Sequence, residues 1–250
     1  LMITCGRRSV AASIAVRRLS AGKTFTVHVQ NPLVPSRYLD LVLPPRHDGL
    51  TGANVHPTRA SIHRITPEKL SEEADRMAAQ FANLPRPLVC VVIGGNSSAH
   101  KLTRRATEEL ADQLLALSKN KGVGLAVTTS RRTGKENTAI LKNKLTGPNC
   151  MLWSGEGKNP YFAMLGLADY ILVTSDSASM VSEACATGKP VHIIDLEGGN
   201  ERFAKFHESL RNEGITRPFT GALEDWRYSP LTCTQDAAKL VLEKMKTREG

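Results

Sequence analysis

The amino-acid sequence predicts an α/β protein made of two doubly wound, Rossmann-like domains. Short apolar runs rich in β-branched residues alternate with segments of helical spacing along most of the chain. The alternation is interrupted at Pro85-Arg86-Pro87, a stiff segment that cannot form a helix. Because the pattern is the same on both sides of this interruption, we expect one domain at residues 1–84 and a second at residues 88–250.

The first domain is predicted to contain three strands, at residues 1–5, 25–30 and 39–43, and two helices, at residues 10–19 and 66–84. Thr66 is a typical N-cap for the second helix, because Pro67 follows at its first position and Glu68 stands in its first turn. The chain opens directly on what the pattern indicates to be a buried strand. We therefore expect that further sequence precedes Leu1 and that this domain is truncated at its start.

The second domain is predicted to be a parallel sheet with helices between its strands. The strands are expected at residues 88–93, 124–128, 150–153, 170–173 and 191–194, and the helices at residues 102–119, 136–145, 159–167, 180–187, 202–212 and 235–246.

The composition indicates an anionic partner. The net charge is +9, from 33 Lys and Arg against 24 Asp and Glu, while aromatic residues make up 5%. A basic protein with few aromatic side chains favours a nucleotide or an acidic membrane surface over nucleic acid. Arg17-Arg18 and the helix at residues 63–84 are candidates for the membrane surface, although a solvated basic face is the commoner situation.

The five cysteines show neither paired spacing nor a Cys/His ligand pattern, so they predict no disulfide framework and no metal site. Their scattered positions, mostly in apolar runs, are typical of a reducing compartment such as the cytoplasm. The sequence also lacks an apolar run of the ~18 residues that a membrane-spanning helix needs. A cytoplasmic protein, with room for peripheral attachment to a membrane, is the expectation.

The stretch from Asp169 to Asp195 organises the second domain as a strand, a serine-rich turn, a helix ending near Gly188 and a second strand. Hydroxyls and a carboxylate in the turn are typical of a helix N-cap, and the N–H groups of a helix start attract phosphates. A glutamate one turn later could accept hydrogen bonds from a sugar. The candidate ligand-binding residues of this stretch are Ser175, Asp176, Ser177, Ser179, Met180 and Glu183.

An alternative remains open for this stretch. Serine and aspartate cap many helices that bind nothing, and a glutamate near a helix start complements the helix dipole. The pattern alone favours neither interpretation.

Two further loops should lie at the same edge of the sheet, because the carboxyl ends of parallel strands share one edge. Glycines permit close backbone approach, and an arginine offers a planar fork to phosphate oxygens. The candidate residues in these loops are Gly94, Gly95 and Asn96, and Ser130, Arg131 and Arg132. In the first domain, Gly6, Arg7, Arg8 and Ser9 follow a strand and precede a helix, so they form a second candidate anion site or an exposed basic turn.

The pattern Asp-Ser-x-Ser-Met-x-x-Glu-Ala-x-x-x-Gly-Lys-Pro-Val resembles the donor-nucleotide segment of GT-B glycosyltransferases. A larger set of motifs is similar to the elongated-mitochondria family of mitochondrial fission proteins. These motifs lie at residues 5–9, 30–32, 46–48, 159–161, 168–170, 173–184, 206–211 and 217–221. Asn159 joins the candidate ligand residues through this resemblance, and the compact loop at residues 48–56 is more similar to the bacterial members.

The resemblance implies a GT-B-like fold with a cleft between two Rossmann-like domains. It also implies two functions. The first is a metal-independent glycosyltransferase that needs no cofactor besides its nucleoside-diphosphate sugar, with the diphosphate on the N–H groups near Ser177 and Ser179 and the ribose on Glu183. The second is a non-catalytic adaptor that recruits a dynamin-related partner at a membrane. The sequence identifies no catalytic base, so the two alternatives stay open.

Overall fold

The computed structural model describes residues 1–249, which form eleven strands and eight α-helices. The strands are β1 (Met2–Cys5), β2 (Thr26–Val29), β3 (Leu41–Leu43), β4 (Leu88–Ile93), β5 (His100–Lys101), β6 (Gly124–Thr129), β7 (Cys150–Trp153), β8 (Tyr170–Thr174), β9 (Val191–Ile194), β10 (Glu197–Gly198) and β11 (Thr216–Pro218). The helices are α1 (Val10–Leu19), α2 (Pro67–Phe81), α3 (Arg104–Lys121), α4 (Lys135–Lys144), α5 (Tyr161–Leu167), α6 (Ala178–Cys185), α7 (Glu201–Asn212) and α8 (Cys233–Glu249). Within these residues, no helix is both long and apolar enough to cross a bilayer.

The chain divides into two compact units that differ from the predicted domains at both ends. The first unit combines Leu1–Arg64 with the segment from Leu231 onward, and the second is Ile65–Pro230. Helix α2 belongs to the second unit because it packs closely on α5: a Cβ at Gly166 would lie 2.6 Å from the Leu70 carbonyl oxygen. The compact units therefore divide at residues 64–65, whereas the sequence pattern places a domain boundary at residues 83–87.

The C-terminal helix α8 was predicted to belong to the second domain, but it packs on the first unit. Its buried residues Ala237 and Val241 share a core with Phe25, Val27 and Leu41. The apolar face of α8 is thus buried against the strands of the first unit, which explains why the second unit ends at Pro230.

The first unit contains a parallel sheet in the order β1-β2-β3. The central strand β2 is buried, but β1 lies at the edge of the sheet, and Ile3 is 58% exposed. The prediction of a buried first strand is therefore wrong for every residue of β1 except Thr4. The Thr4 hydroxyl lies 2.9 Å from Nδ1 of the buried His28.

The second unit contains a six-stranded parallel sheet in the order β11-β9-β8-β4-β6-β7. Numbered along the unit, this is the 3-2-1-4-5-6 order of a doubly wound Rossmann-like fold, with its topological switch point between β4 and β8. All six residues of β4 are buried, as a strand covered by helices on both faces requires. The predicted fold class is confirmed, and β11 extends the five predicted strands by one.

Candidate functional site

Three of the predicted loops meet at the switch point of the second unit. They follow β4, β6 and β8, which are neighbours in the sheet. The Gly94 N–H donates to Thr174 Oγ1 at 2.8 Å, and the Gly95 N–H donates to Asp176 Oδ2 at 3.0 Å. The Ser130 hydroxyl donates to the Gly94 carbonyl at 2.9 Å. The structure therefore brings the three loops together at one edge of the sheet, as predicted.

Asp176 lies at the centre of this loop cluster, and its carboxylate is directed at the protein. Its side chain is fully buried and accepts hydrogen bonds from the Thr174 hydroxyl at 2.6 Å, from the Gly95 N–H and from the Arg132 guanidinium. A Cβ at Gly94 would stand 2.2 Å from both carboxylate oxygens. Gly94 is thus required by the approach of Asp176, and Arg132 is engaged in pairing that carboxylate.

Most of the remaining polar groups of the loop cluster also stabilise the loops themselves. The Asn96 side chain accepts a hydrogen bond from the Leu102 N–H at 2.9 Å, and Ser130 Oγ accepts one from the Arg132 N–H at 3.1 Å. A Cβ at Gly95 would lie 2.2 Å from the Arg132 carbonyl oxygen. The sequence pattern for ligand binding in these loops is therefore largely a pattern for loop packing.

A cavity of about 740 Å³ lies beside the loop cluster, at the carboxyl ends of β4, β6 and β7. Five of the predicted ligand residues line it, namely Ser130, Arg131, Asn159, Met180 and Glu183. The rest of the lining comes from Val92, Ile93, Thr128, Thr129, Gly134, Lys135, Thr138, Ala139, Lys142, Trp153, Ser154, Gly155 and Tyr161. The cavity has the position that ligands take in doubly wound sheets.

Glu183 and Tyr161 form one hydrogen-bonded pair in the cavity wall. The Tyr161 hydroxyl donates to Glu183 Oε2 at 2.7 Å. Burial and the nearby Glu183 carboxylate raise the pKa of Tyr161 well above its ordinary value, so the phenol stays protonated and remains a donor. Asn159 contributes to the same wall, and its Oδ1 accepts a hydrogen bond from the Tyr161 N–H at 3.0 Å in the turn before α5.

Three cations in the cavity lining have no acidic partner. Within the described residues, no carboxylate lies within ion-pair distance of Arg131, Lys135 or Lys142. By contrast, the neighbouring Arg132 pairs with Asp176, and Lys144 pairs with Asp112 at 2.7 Å. The lining is therefore positively charged along α4.

The sequence interpretation missed Lys135 and Lys142, although their spacing is a recognisable signal. Positions 135, 138, 139 and 142 follow the i, i+3, i+4, i+7 pattern of one helix face, and all four line the cavity. Trp153, the last residue of β7, was also missed as a lining residue, although a large side chain at the carboxyl end of a strand is well placed for ligand contact.

The serine-rich turn before α6 lies outside the cavity lining as the structure describes it. Ser177 is the N-cap of α6 and accepts a hydrogen bond from the Met180 N–H at 3.4 Å. Ser175 Oγ accepts one from the Leu196 N–H at 3.0 Å, and Ser179 is exposed. Of the two interpretations of this turn, the structure shows the capping role directly.

The second candidate anion site, at residues 6–9, belongs to the first unit. Gly6 has a φ of 81°, and Arg7–Ser9 form a single 3₁₀ turn in which the Ser9 hydroxyl donates to the Gly6 carbonyl at 2.9 Å. Arg7 and Arg8 are exposed. A site shared between these residues and the second unit stays a prediction.

Comparisons of the structure with solved structures give the same fold at low sequence identity. The UDP-GlcNAc 2-epimerase from Methanocaldococcus jannaschii is similar with a TM-score of 0.60 at 13% identity, covering 96% of this chain and 76% of the enzyme. The UDP-GlcNAc 2-epimerase from Neisseria meningitidis, solved bound to UDP-GlcNAc, has a TM-score of 0.53 at 13% identity over the same shares of the two chains. These neighbours confirm the GT-B-like class of two Rossmann-like domains.

Comparisons of the sequence identify the family. Mitochondrial fission protein ELM1 from Arabidopsis thaliana is 32% identical over 275 aligned positions that include 99% of this chain. The chain spans 64% of the length of that relative. The sequence profile described as Mitochondrial fission ELM1 matches residues 1–245. The resemblance noted in the sequence is therefore confirmed, and the chain belongs to the mitochondrial fission ELM1 family.

Proposed function

We propose that the second unit binds a nucleoside diphosphate, as the donor part of a nucleotide sugar, in the cavity beside the switch point. The observation that carries this proposal is that one cavity is lined by a carboxylate, Glu183, and by three cations that have no acidic partner within the described residues. These cations are Arg131, Lys135 and Lys142. Its volume of about 740 Å³ falls in the usual range for small-molecule sites. The Neisseria neighbour, bound to UDP-GlcNAc, shows that this fold accommodates such a ligand.

In this proposal each group in the lining has a chemical role. Glu183 accepts hydrogen bonds from the ribose hydroxyls, and the cations along α4 neutralise the phosphates. Trp153, half-buried at the end of β7, offers an aromatic face to the base. Of the two candidate arginines, Arg132 pairs with Asp176, so we assign the charge-neutralising role to Arg131 together with the two lysines.

The reaction that fits such a site is glycosyl transfer without a metal ion. The diphosphate leaves with its negative charge stabilised by fixed cations, and no cofactor is required beyond the nucleotide sugar. Transfer itself is the finer part of the proposal and requires a base and an acceptor in addition to the cavity.

A panel of ADP, CDP, GDP and UDP, followed by UDP-sugars, tests the binding step by calorimetry. Glu183→Gln should weaken nucleotide binding by about tenfold to a hundredfold, because an amide presents a donor where a ribose hydroxyl needs an acceptor. Glu136→Gln, an exposed change on α4 outside the cavity lining, is the matched control and should bind as the wild type does. If the wild type binds none of the four nucleotides, the proposal fails.

A second candidate function, an adaptor at an acidic membrane surface, is supported by how charge is distributed between the units. The first unit contains 13 Lys and Arg against 5 Asp and Glu, while the larger second unit contains 20 against 19. The net charges are therefore +8 and +1. The helix at residues 63–84, the other candidate surface, carries four acidic residues against three Lys and Arg, so its charge does not add to this support.

Flotation with vesicles of neutral and of anionic lipid tests this candidate. Each lysine or arginine near a charged leaflet contributes about 1 kcal/mol, so the wild type should float with anionic vesicles at low salt. Reversing the exposed Arg18 and Lys23 to glutamate should reduce flotation. The same reversal at the exposed Lys119 and Lys121 of the second unit should not. Equal, negligible flotation with both lipids rejects the candidate.

A further inference from the structure

We propose that Tyr161 is a positioning residue for Glu183, and that this hydrogen-bonded pair selects ribonucleotides over 2′-deoxyribonucleotides in the cavity of the second unit. The inference rests on the proposed nucleotide function and adds the residue that would set selectivity for the sugar.

Tyr161 is itself held firmly. It is the first residue of α5, and its N–H donates a hydrogen bond to Asn159 Oδ1 at 3.0 Å. At the other end, Lys189 Nζ donates to the carbonyl oxygens of Leu165 at 2.7 Å and Gly166 at 2.5 Å. A helix of seven residues fixed at both ends gives the Tyr161 ring a defined position.

The defined position of Tyr161 restricts the side chain of Glu183. A glutamate side chain has three rotatable bonds, and ordering it upon ligand binding costs free energy. The 2.7 Å hydrogen bond from the Tyr161 hydroxyl to Oε2 restricts these rotations before any ligand arrives. A carboxylate can accept about four hydrogen bonds, so it can accept from the Tyr161 hydroxyl and from a ligand hydroxyl at the same time.

The orientation of the Glu183 carboxylate should determine the selectivity for ribose over 2′-deoxyribose. Both side chains line the cavity, so a nucleotide bound there meets a carboxylate whose plane is already set. A ribose has two neighbouring hydroxyls to donate, whereas a 2′-deoxyribose has one. A carboxylate fixed in direction gains the second hydrogen bond in full, and one that rotates gains less of it. Selectivity for ribose should therefore depend on the phenolic hydroxyl of Tyr161.

The test compares the dissociation constant of the tightest nucleotide among ADP, CDP, GDP and UDP with that of its 2′-deoxy form. Wild-type protein should prefer the ribonucleotide by about tenfold to a hundredfold, the range for one hydrogen bond to a charged group. Tyr161→Phe keeps the ring and removes the hydroxyl, and it should lower this ratio by about three- to tenfold while weakening the 2′-deoxy form little.

Tyr228→Phe is the matched control, because the Tyr228 hydroxyl also donates to a protein oxygen, the Lys189 carbonyl at 2.8 Å, but lies outside the cavity lining as described. It should leave the ratio unchanged. If Tyr161→Phe weakens both nucleotides equally, the residue only supports the fold and the inference is overturned. A wild type that binds both forms equally overturns the inference and leaves nucleotide binding standing, whereas a wild type that binds neither overturns the proposed function itself.

Discussion

Replacing Asp176 with alanine should lower the free energy of unfolding of the second unit. The substitution changes none of the residues that line the cavity. The substitution removes the acceptor for two buried donors, the Gly95 N–H and the Thr174 hydroxyl, which lie 3.0 and 2.6 Å from the carboxylate. Each of the two buried donors left without a partner costs about 1–3 kcal/mol, so the expected loss is about 2–6 kcal/mol. Arg132 adds little, because its side chain is 42% exposed and water can solvate it.

Urea unfolding and thermal melting measure the effect. For a protein of this size each kcal/mol corresponds to about 2–4 °C, so the melting temperature should fall by roughly 4–24 °C. Asp112→Ala is the control, since Asp112 is 64% exposed and pairs with Lys144 at the surface. An exposed ion pair contributes about 0–1 kcal/mol, so that variant should melt close to the wild type.

An Asp176→Ala variant that has the melting temperature of the wild type but a lower affinity for nucleotides would contradict this prediction. That result would show that the carboxylate serves a ligand and that the donors around it find other partners. The same pair of measurements therefore separates loop packing from ligand contact at a residue for which the sequence left both interpretations open.

Two further predictions concern charge. Lys142→Ala should weaken the binding of UDP and make it less dependent on salt. Lys144→Ala is the control, because Lys144 lies on the same helix but pairs with Asp112, and it should leave UDP binding unchanged. Equal effects of the two substitutions would contradict a cationic cavity wall. Burial lowers the pKa of His192 from 6.5 to about 4, so the neutral form is favoured in the folded state. Its contribution, on the order of 3 kcal/mol, is present above pH 6.5 and lost as the pH falls towards 4. The melting temperature of His192→Gln should therefore differ less between pH 7 and pH 4.5 than that of the wild type. An unchanged difference in melting temperature would contradict this prediction.

Much of the fold could be predicted because local signals and tertiary structure agree. Thr66 accepts the predicted hydrogen bond, from the Lys69 N–H, and Pro67 begins α2 as expected. Strand β7 has its predicted bounds, Cys150–Trp153. In contrast, β11 has three residues and ends in Pro218, so neither periodicity nor propensity marks it as a strand. Its pairing with β9 is a tertiary interaction that the local sequence does not encode.

The site was predicted less well because residue type does not reveal direction. Gly94 and Asp176 have the composition of a ligand loop, yet they face one another. Glu183 was found because helical spacing places it one turn beyond the cap, and the structure puts it in the cavity wall. Lys135 and Lys142 were missed because two lysines on a polar helix are ordinarily a solvated face, and only the cavity beside them distinguishes them.

The division of the chain into units has a consequence for how the protein is made. The strands of the first unit are synthesised before the second unit, but Ala237 and Val241, whose apolar side chains complete their core, are synthesised after it. All of Ile65–Pro230 must be translated in between, which takes roughly ten to thirty seconds at about 5–20 residues per second. During that interval the second unit, whose segment is continuous, can complete its own core on the ribosome. Over the same interval Phe25 and Leu41 lack their core partners on α8, so they add to the transiently exposed apolar surface that makes a nascent chain prone to aggregate.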